Sequence, residues 1–211
     1  MVKKYFKKIP FAVLSGPTIA MEVAKGIPST AVVASKSGSL ARRVQNLFNS
    51  EKFRIYTNTD VIGVELGGSI KNVIAIACGV CDGLRYGTNT KAAILTRGLA
   101  EMARLGQSLG ARPKTFTGLS GLGDLVTTCF SPRSRNRTVG EQLGGGKSIK
   151  SILHHMEMVA EGVETVKAIH KLSSKHKVPM PITAAVYKII YQKKKASSAV
   201  SDLMNRKMKS E

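Results

Sequence analysis

The chain opens with short apolar runs separated by turn residues, then changes near residue 60 to long amphipathic segments. Phe11-Ala-Val-Leu14, ended by Gly16-Pro17, predicts a short buried strand. Thr30-Ala-Val-Val-Ala34 predicts a second strand, and Phe53-Arg-Ile-Tyr56, with partial alternation, a third. Between them, Ala20 to Lys25 reads as a helix stopped by Gly26. Ala41 to Phe48 reads as a helix with Val44, Leu47 and Phe48 on one face. Such an α/β piece is too small to close a parallel sheet covered on both faces, so it is expected to lack neighbours on its amino-terminal side.

From residue 60 the period is helical almost throughout. Asn89 or Thr90 stands where it can cap a helix carrying Leu95, Leu99, Met102 and Leu109 on one face and ending at Gly110. Arg97 and Glu101, four apart on that helix, are expected to pair. Val163, Val166, Ile169 and Leu172 form a further apolar stripe, and Val186, Ile189 and Ile190 another after Pro179 and Pro181. There is no internal repeat.

Composition narrows the class. With 211 residues, 43 % of them hydrophobic, the chain has material for one large domain, or for one domain and a fragment of another. The formal charge of +20 admits nucleic acid, an anionic surface or small anions as partners, or simply charged ends. Lys3, Lys4, Lys7 and Lys8 crowd the start; Lys188, Lys193, Lys194, Lys195, Arg206, Lys207 and Lys209 crowd the end, with no aromatic interleaving. The absence of Trp and the 5 % aromatic content argue against stacked bases, and no nucleic-acid partner is expected. Ile9 to Leu14 contains Pro10 and is too short for the apolar core of a signal peptide. Val61 to Val80 is broken by Glu65 and Lys71, so no membrane span is expected. Three cysteines cannot build a disulfide framework, which fits a cytoplasmic setting.

Three segments carry chemistry. Lys71 lies in Leu66-Gly-Gly-Ser-Ile-Lys-Asn-Val-Ile-Ala-Ile-Ala77, and its helical neighbours Gly67, Gly68, Ile74 and Ala75 include no acid. A buried ammonium needs a partner from elsewhere in the fold, and removal from water favours the neutral amine that can take a proton. A lysine reaching from its helix into water is the equal alternative. Gly118-Leu-Ser-Gly-Leu-Gly-Asp-Leu125 presents Asp124 on a glycine-dense turn, either to meet Lys71 or as an ordinary helix cap. Ser134-Arg-Asn-Arg137 offers a forked cation beside a hydroxyl and an amide, a set suited to phosphate but equally to a solvated loop.

Other signals fail. Gly144-Gly-Gly-Lys147-Ser148 lacks the glycine that a phosphate loop needs at position 141, which is Glu. Cys78-Gly-Val-Cys81 sits in an apolar helical run with no second pair, and His154-His155 lacks helical metal spacing, so no metal site is expected. No G-x-G-x-x-G follows a strand.

Taken in order, several segments resemble the bacterial-type NAD(P)-dependent glycerol-3-phosphate dehydrogenase family. They are Leu14-Ser-Gly-Pro-Thr-Ile-Ala20, Asp60-Val-Ile-Gly-Val-Glu-Leu-Gly-Gly-Ser-Ile-Lys-Asn72, Thr96-Arg-Gly-Leu-Ala-Glu-Met102, Gly121-Leu-Gly-Asp-Leu125, Ser134-Arg-Asn136, Val159-Ala-Glu-Gly162 and Met180-Pro-Ile-Thr183. The resemblance implies reduction of dihydroxyacetone phosphate to glycerol 3-phosphate with NAD or NADP, for phospholipid synthesis. It implies Lys71 as the catalytic lysine. Gly16, Thr18, Asn72, Asp124, Thr128, Ser134, Arg135 and Asn136 are implied around the substrate, with Arg135 on its phosphate; Ala20, Arg135, Val159 and Glu161 are implied at the cofactor. The implied fold is an α/β remnant of a Rossmann domain (1–59) followed by an all-α substrate domain (60–211) of the 6-phosphogluconate-dehydrogenase type. The family's glycine-rich phosphate turn is absent, so the chain is expected to lack most of the nucleotide-binding domain. A homodimer, or association with the missing amino-terminal piece, is the expected assembly; the alternative is an inactive remnant or half of a split enzyme that binds glycerol phosphates without turnover.

Overall fold

The computed structural model describes residues 9–208 and 210. Lys3, Lys4, Lys7, Lys8 and Lys209 of the two basic clusters lie outside the described residues. Three strands, β1 (Val13–Ser15), β2 (Ser29–Ala34) and β3 (Phe53–Asn58), form one sheet in the order β1-β2-β3. Helices α1 (Ala20–Ala24) and α2 (Gly38–Phe48) connect them. β2 and β3 pair in parallel, whereas β1 runs antiparallel to β2.

Two expectations are corrected here. Among the described residues β1 is an edge strand with Leu14 exposed, flanked there by β2 alone. On α2, Leu47 is 76 % and Phe48 47 % exposed, so the predicted apolar face meets no sheet beyond Val44. Both follow from a sheet of three strands, whose central strand β2 alone is flanked on two sides and covers little around it.

The rest is helical. α3 (Val61–Gly83) runs through the middle, and every residue from Asn72 to Cys81 is buried. Around it pack α4 (Thr88–Ser108), α5 (Pro113–Phe116), α6 (Asp124–Phe130), α7 (Arg135–Gly144), α8 (Ile149–His154), α9 (Glu161–Lys175), α10 (Pro181–Tyr191) and α11 (Ala196–Met204). By length and composition α3 could cross a membrane, despite the two charges that argued against it in sequence. Here 67 % of its apolar window is buried inside the protein, as a core helix requires. The stripes of α9 and α10 fill the same core. Cys78, Cys81 and Cys129 are all buried free thiols, and burial pushes the Cys81 thiol up to about 12.

Asp60 starts α3. Its Oδ1 accepts from the Gly63 N–H at 2.9 Å, and its Oδ2 from the Arg112 N–H at 2.8 Å and Thr115 Oγ1 at 2.6 Å. Burial works against its charge, yet these donors hold the carboxyl below its ordinary range. One residue therefore caps the central helix and ties α5 to it.

The caps of α4 and α10 differ from those read in sequence. α4 starts behind Gly87, without a side-chain cap, so neither Asn89 nor Thr90 serves. Glu101, expected beside Arg97, sits 1 % exposed and turns to α10. Its oxygens accept from the Ile182 N–H at 2.6 Å, the Thr183 N–H at 3.1 Å and Thr183 Oγ1 at 3.0 Å. Pro181 has no N–H and Met180 has no capping side chain, so Glu101 satisfies the first free donors of α10 from another helix. Glu101→Ala is expected to cost about 3 kcal/mol in urea unfolding. Burial pushes this carboxyl up, so the folded state holds its proton to higher pH than the unfolded chain does. Its contribution is thus greatest in acid and falls as pH rises through the raised pKa. Glu101→Gln is expected to flatten the stability profile above about pH 4, where the carboxyl of the unfolded chain begins to ionise.

Candidate functional site

Glycines set the site. Gly67 lies against the turn after α5, where an added Cβ would stand 2.3 Å from the Ser120 carbonyl oxygen. Gly121 touches the Phe116 backbone in the same way, at 2.0 Å. The π-helical turn Leu119–Gly123 is thereby pressed onto α3 and delivers Asp124 at the first position of α6. From the sheet side, Gly16 at φ 150° lies against Thr30 and Ala31 of β2, and Ser15 Oγ stands beside Gly68 of α3.

These approaches converge on Lys71. Its Nζ donates to Asp124 Oδ1 at 2.5 Å, with the lysine side chain 20 % and the aspartate 4 % exposed. Ser15 Oγ donates to Asp124 Oδ2 at 3.2 Å, and Thr128 Oγ1 reaches Oδ1 at 3.4 Å. Burial pushes the Asp124 carboxyl up, while the Lys71 ammonium and the two hydroxyls pull it down. Of the two sequence readings, the lysine that meets an acid from elsewhere in the fold is the one observed.

A second network fixes the floor. Asn136 Nδ2 donates to Asn72 Oδ1 at 3.0 Å, Asn72 Nδ2 donates to Glu161 Oε2 at 3.3 Å, and the Gly162 N–H donates to Asn136 Oδ1 at 2.8 Å. Three helices, α3 at its middle and α7 and α9 at their amino-terminal ends, are thus locked together by two amides. Ser134 caps α7 by accepting from the Arg137 N–H at 3.3 Å, which leaves Arg135 in the first turn with its guanidinium exposed.

A cavity of about 680 Å³ opens over this floor. Thr18, Ala20, Lys71, Asn72, Asp124, Thr128, Ser134, Arg135, Asn136 and Glu161 all line it. Gly16 lines an adjoining cavity of about 800 Å³ that shares Thr18, Gly68, Lys71 and Asp124 with the first. Val159 is 73 % exposed and lines neither, although its neighbour Met158 lines the first. Arg137 leaves the site altogether: its Nε donates to Asp82 at 2.6 Å. Two contributors escaped the sequence reading. Ser15 gives no local signal, because its bond spans 109 residues. Arg133 lines the cavity beside Arg135 but precedes the motif that drew notice.

A lysine–carboxylate pair, an exposed arginine and a helix amino terminus facing one cavity can hold a small anion and exchange a proton with it. The fold and site thus define a small-anion site at the seam between an α/β layer and a helical core. Residues 60–201 match the family description "NAD-dependent glycerol-3-phosphate dehydrogenase C-terminus", and residues 1–41 match the corresponding N-terminus. Glycerol-3-phosphate dehydrogenase [NAD(P)+] of Chlorobium phaeobacteroides is 56 % identical over 200 residues, 95 % of this chain and 60 % of that protein. The namesake from Geobacter sulfurreducens is 53 % identical over 201 residues, with the same coverage. The crystal structure of glycerol-3-phosphate dehydrogenase from Coxiella burnetii superposes with a TM-score of 0.94 at 41 % identity, over 97 % of this chain and 63 % of that one. The chain belongs to the NAD-dependent glycerol-3-phosphate dehydrogenase family, and spans 60 % of the length of these curated relatives.

Proposed function

We propose that the chain carries the substrate-binding and proton-handling part of a glycerol-3-phosphate dehydrogenase, which interconverts dihydroxyacetone phosphate and glycerol 3-phosphate. The observation that carries this reading is the Lys71–Asp124 pair opening on the same cavity as Arg135. In it, Arg135 and the amino terminus of α7 hold the substrate phosphate, the end of the molecule that does not react. Binding energy from that end aligns the C2 oxygen with Lys71. Lys71 gives its proton to this oxygen in the reduction and recovers one in the reverse direction, while its charge stabilises the developing alkoxide. Asp124 keeps the ammonium aimed, and Ser15 and Thr128 keep Asp124 in place.

The donor set also suits NAD or NADP. The two joined cavities share Gly68 and Lys71, leaving room beside the substrate, and Ala20, Arg135 and Glu161 line the first of them. We assign these three residues, with Val159 at the rim, to holding that cofactor, which supplies or accepts the hydride. The same reading takes residues 1–59 and 60–211 as two domains, α3 as a core helix and the setting as cytoplasmic. It includes association through the exposed sheet edge, as a homodimer or with a polypeptide carrying a nucleotide-binding portion.

Arg135→Ala is expected to weaken glycerol 3-phosphate binding by about 30-fold, the loss of one charged, paired hydrogen-bond donor. Calorimetric titration with glycerol 3-phosphate, and with glycerol as the phosphate-free control, measures it. Unchanged affinity in the variant, or equal affinity for glycerol, would remove the assignment.

A further inference from the structure

A third cavity, of about 410 Å³, lies between α4, α10 and α11 and shares no lining residue with the two site cavities. Its volume is in the range of small-molecule pockets. Aliphatic side chains, among them Ile94, Ile182 and Leu203, form its walls, and no aromatic ring among the described residues lines it. Arg97, Arg104, Arg206 and Lys207 line it as well. Among the described residues the acid that lines it is Glu101, whose two oxygens are taken by the first turn of α10.

Arg104 adds a second kind of observation. Its Nη2 donates to the Pro179 carbonyl at 3.1 Å, while its buried Nε finds no acceptor among the described residues. Arg104 also lines the cavity, so its guanidinium charge would counter an anion held there. Walls without rings offer nothing for a base or nicotinamide to stack on, and apolar walls are wasted on a bare inorganic anion. A short alkyl chain with an anionic head satisfies both halves of the cavity.

We propose that this cavity binds a free amphipathic anion, a carboxylate on a short alkyl chain, with the chain between Ile94, Ile182 and Leu203 and the carboxylate among Arg104, Arg206 and Lys207. Arg206 and Lys207 follow α11 and are exposed, so they approach the head from the open side. The inference is independent of the proposed dehydrogenase reading, because it uses other residues and another ligand.

The test is calorimetric titration of the full 211-residue chain with octanoate, with butyrate and 1-octanol as controls for chain and head. Octanoate is expected to bind saturably at one site and at least about tenfold more tightly than either control. The double variant Arg206→Glu/Lys207→Glu, confined to exposed side chains, is expected to weaken octanoate at least about tenfold with an unchanged melting temperature. Octanol binding as tightly as octanoate, undiminished binding in the double variant, or no saturable binding would each overturn the proposal.

Discussion

Under the proposed dehydrogenase function, Lys71→Ala is expected to lower dihydroxyacetone-phosphate-dependent oxidation of NADH or NADPH by about 10³-fold, the effect of removing a positioned acid together with its charge. The size follows from the surroundings of the ammonium. Lys71 is the cation bonded to Asp124, and its helical neighbours include no basic residue that could take its place. Lys71→Arg separates charge from proton transfer: arginine keeps the positive partner that Asp124 requires but stays protonated at any working pH. Arginine is therefore expected to restore the melting temperature lost in the alanine variant without restoring turnover. The alanine variant should lose stability too, because it leaves a 4 % exposed carboxylate with two hydroxyls and no cation. Absorbance at the reduced-nicotinamide band and a thermal melt on the same samples give both answers. Measurable turnover of the parent chain that Lys71→Ala leaves undiminished would end the assignment of the lysine.

The lysine was legible because its segment is apolar on nearly every side, which makes any charge there conspicuous. Its partner was legible only as a candidate, since Asp124 lies 53 residues away and pairing at that distance is a property of packing. The same limit explains Glu101. Periodicity placed it one turn from Arg97, and local spacing can offer no other partner. The fold supplies three donors from residues 81 and 82 positions later, in a geometry that the proline at the start of α10 makes necessary. The positions of β2 and β3 were read well, because apolar runs are local, whereas β1 starts two residues after the expected Phe11. The direction of β1 was not legible, and neither was the exposure of Leu47 and Phe48, because both depend on which neighbours flank the sheet.

Glycine meaning was the hardest to read. Gly144 drew notice as the edge of a failed phosphate loop, and Gly79 as the filler of a cysteine pair. In the fold they belong to one contact: Gly79 and Gly83 on α3 face Gly140 and Gly144 on α7, spaced four apart on each helix. A Cβ on Gly79 would stand 1.9 Å from the Arg137 carbonyl oxygen, and one on Gly140 2.0 Å from that of Ile76. Gly79→Ala therefore sets two effects against each other. Alanine favours the helix by about 1 kcal/mol, whereas the clash is with backbone that no rotamer can move aside. The clash wins, and a net loss of about 3 kcal/mol is expected in urea unfolding. Gly38→Ala, at the first position of α2 with nothing within 4 Å of the added carbon, is expected to be neutral or stabilising. An unchanged midpoint for Gly79→Ala would mean that α3 and α7 are not held this closely. The site reports the same displacement independently. α3 carries Asn72 and α7 carries Asn136, so spreading the helices stretches the 3.0 Å bond between them and carries Arg135 away from Lys71. Glycerol 3-phosphate affinity should thus fall in Gly79→Ala, although the glycine touches neither cavity, and stay unchanged in Gly38→Ala.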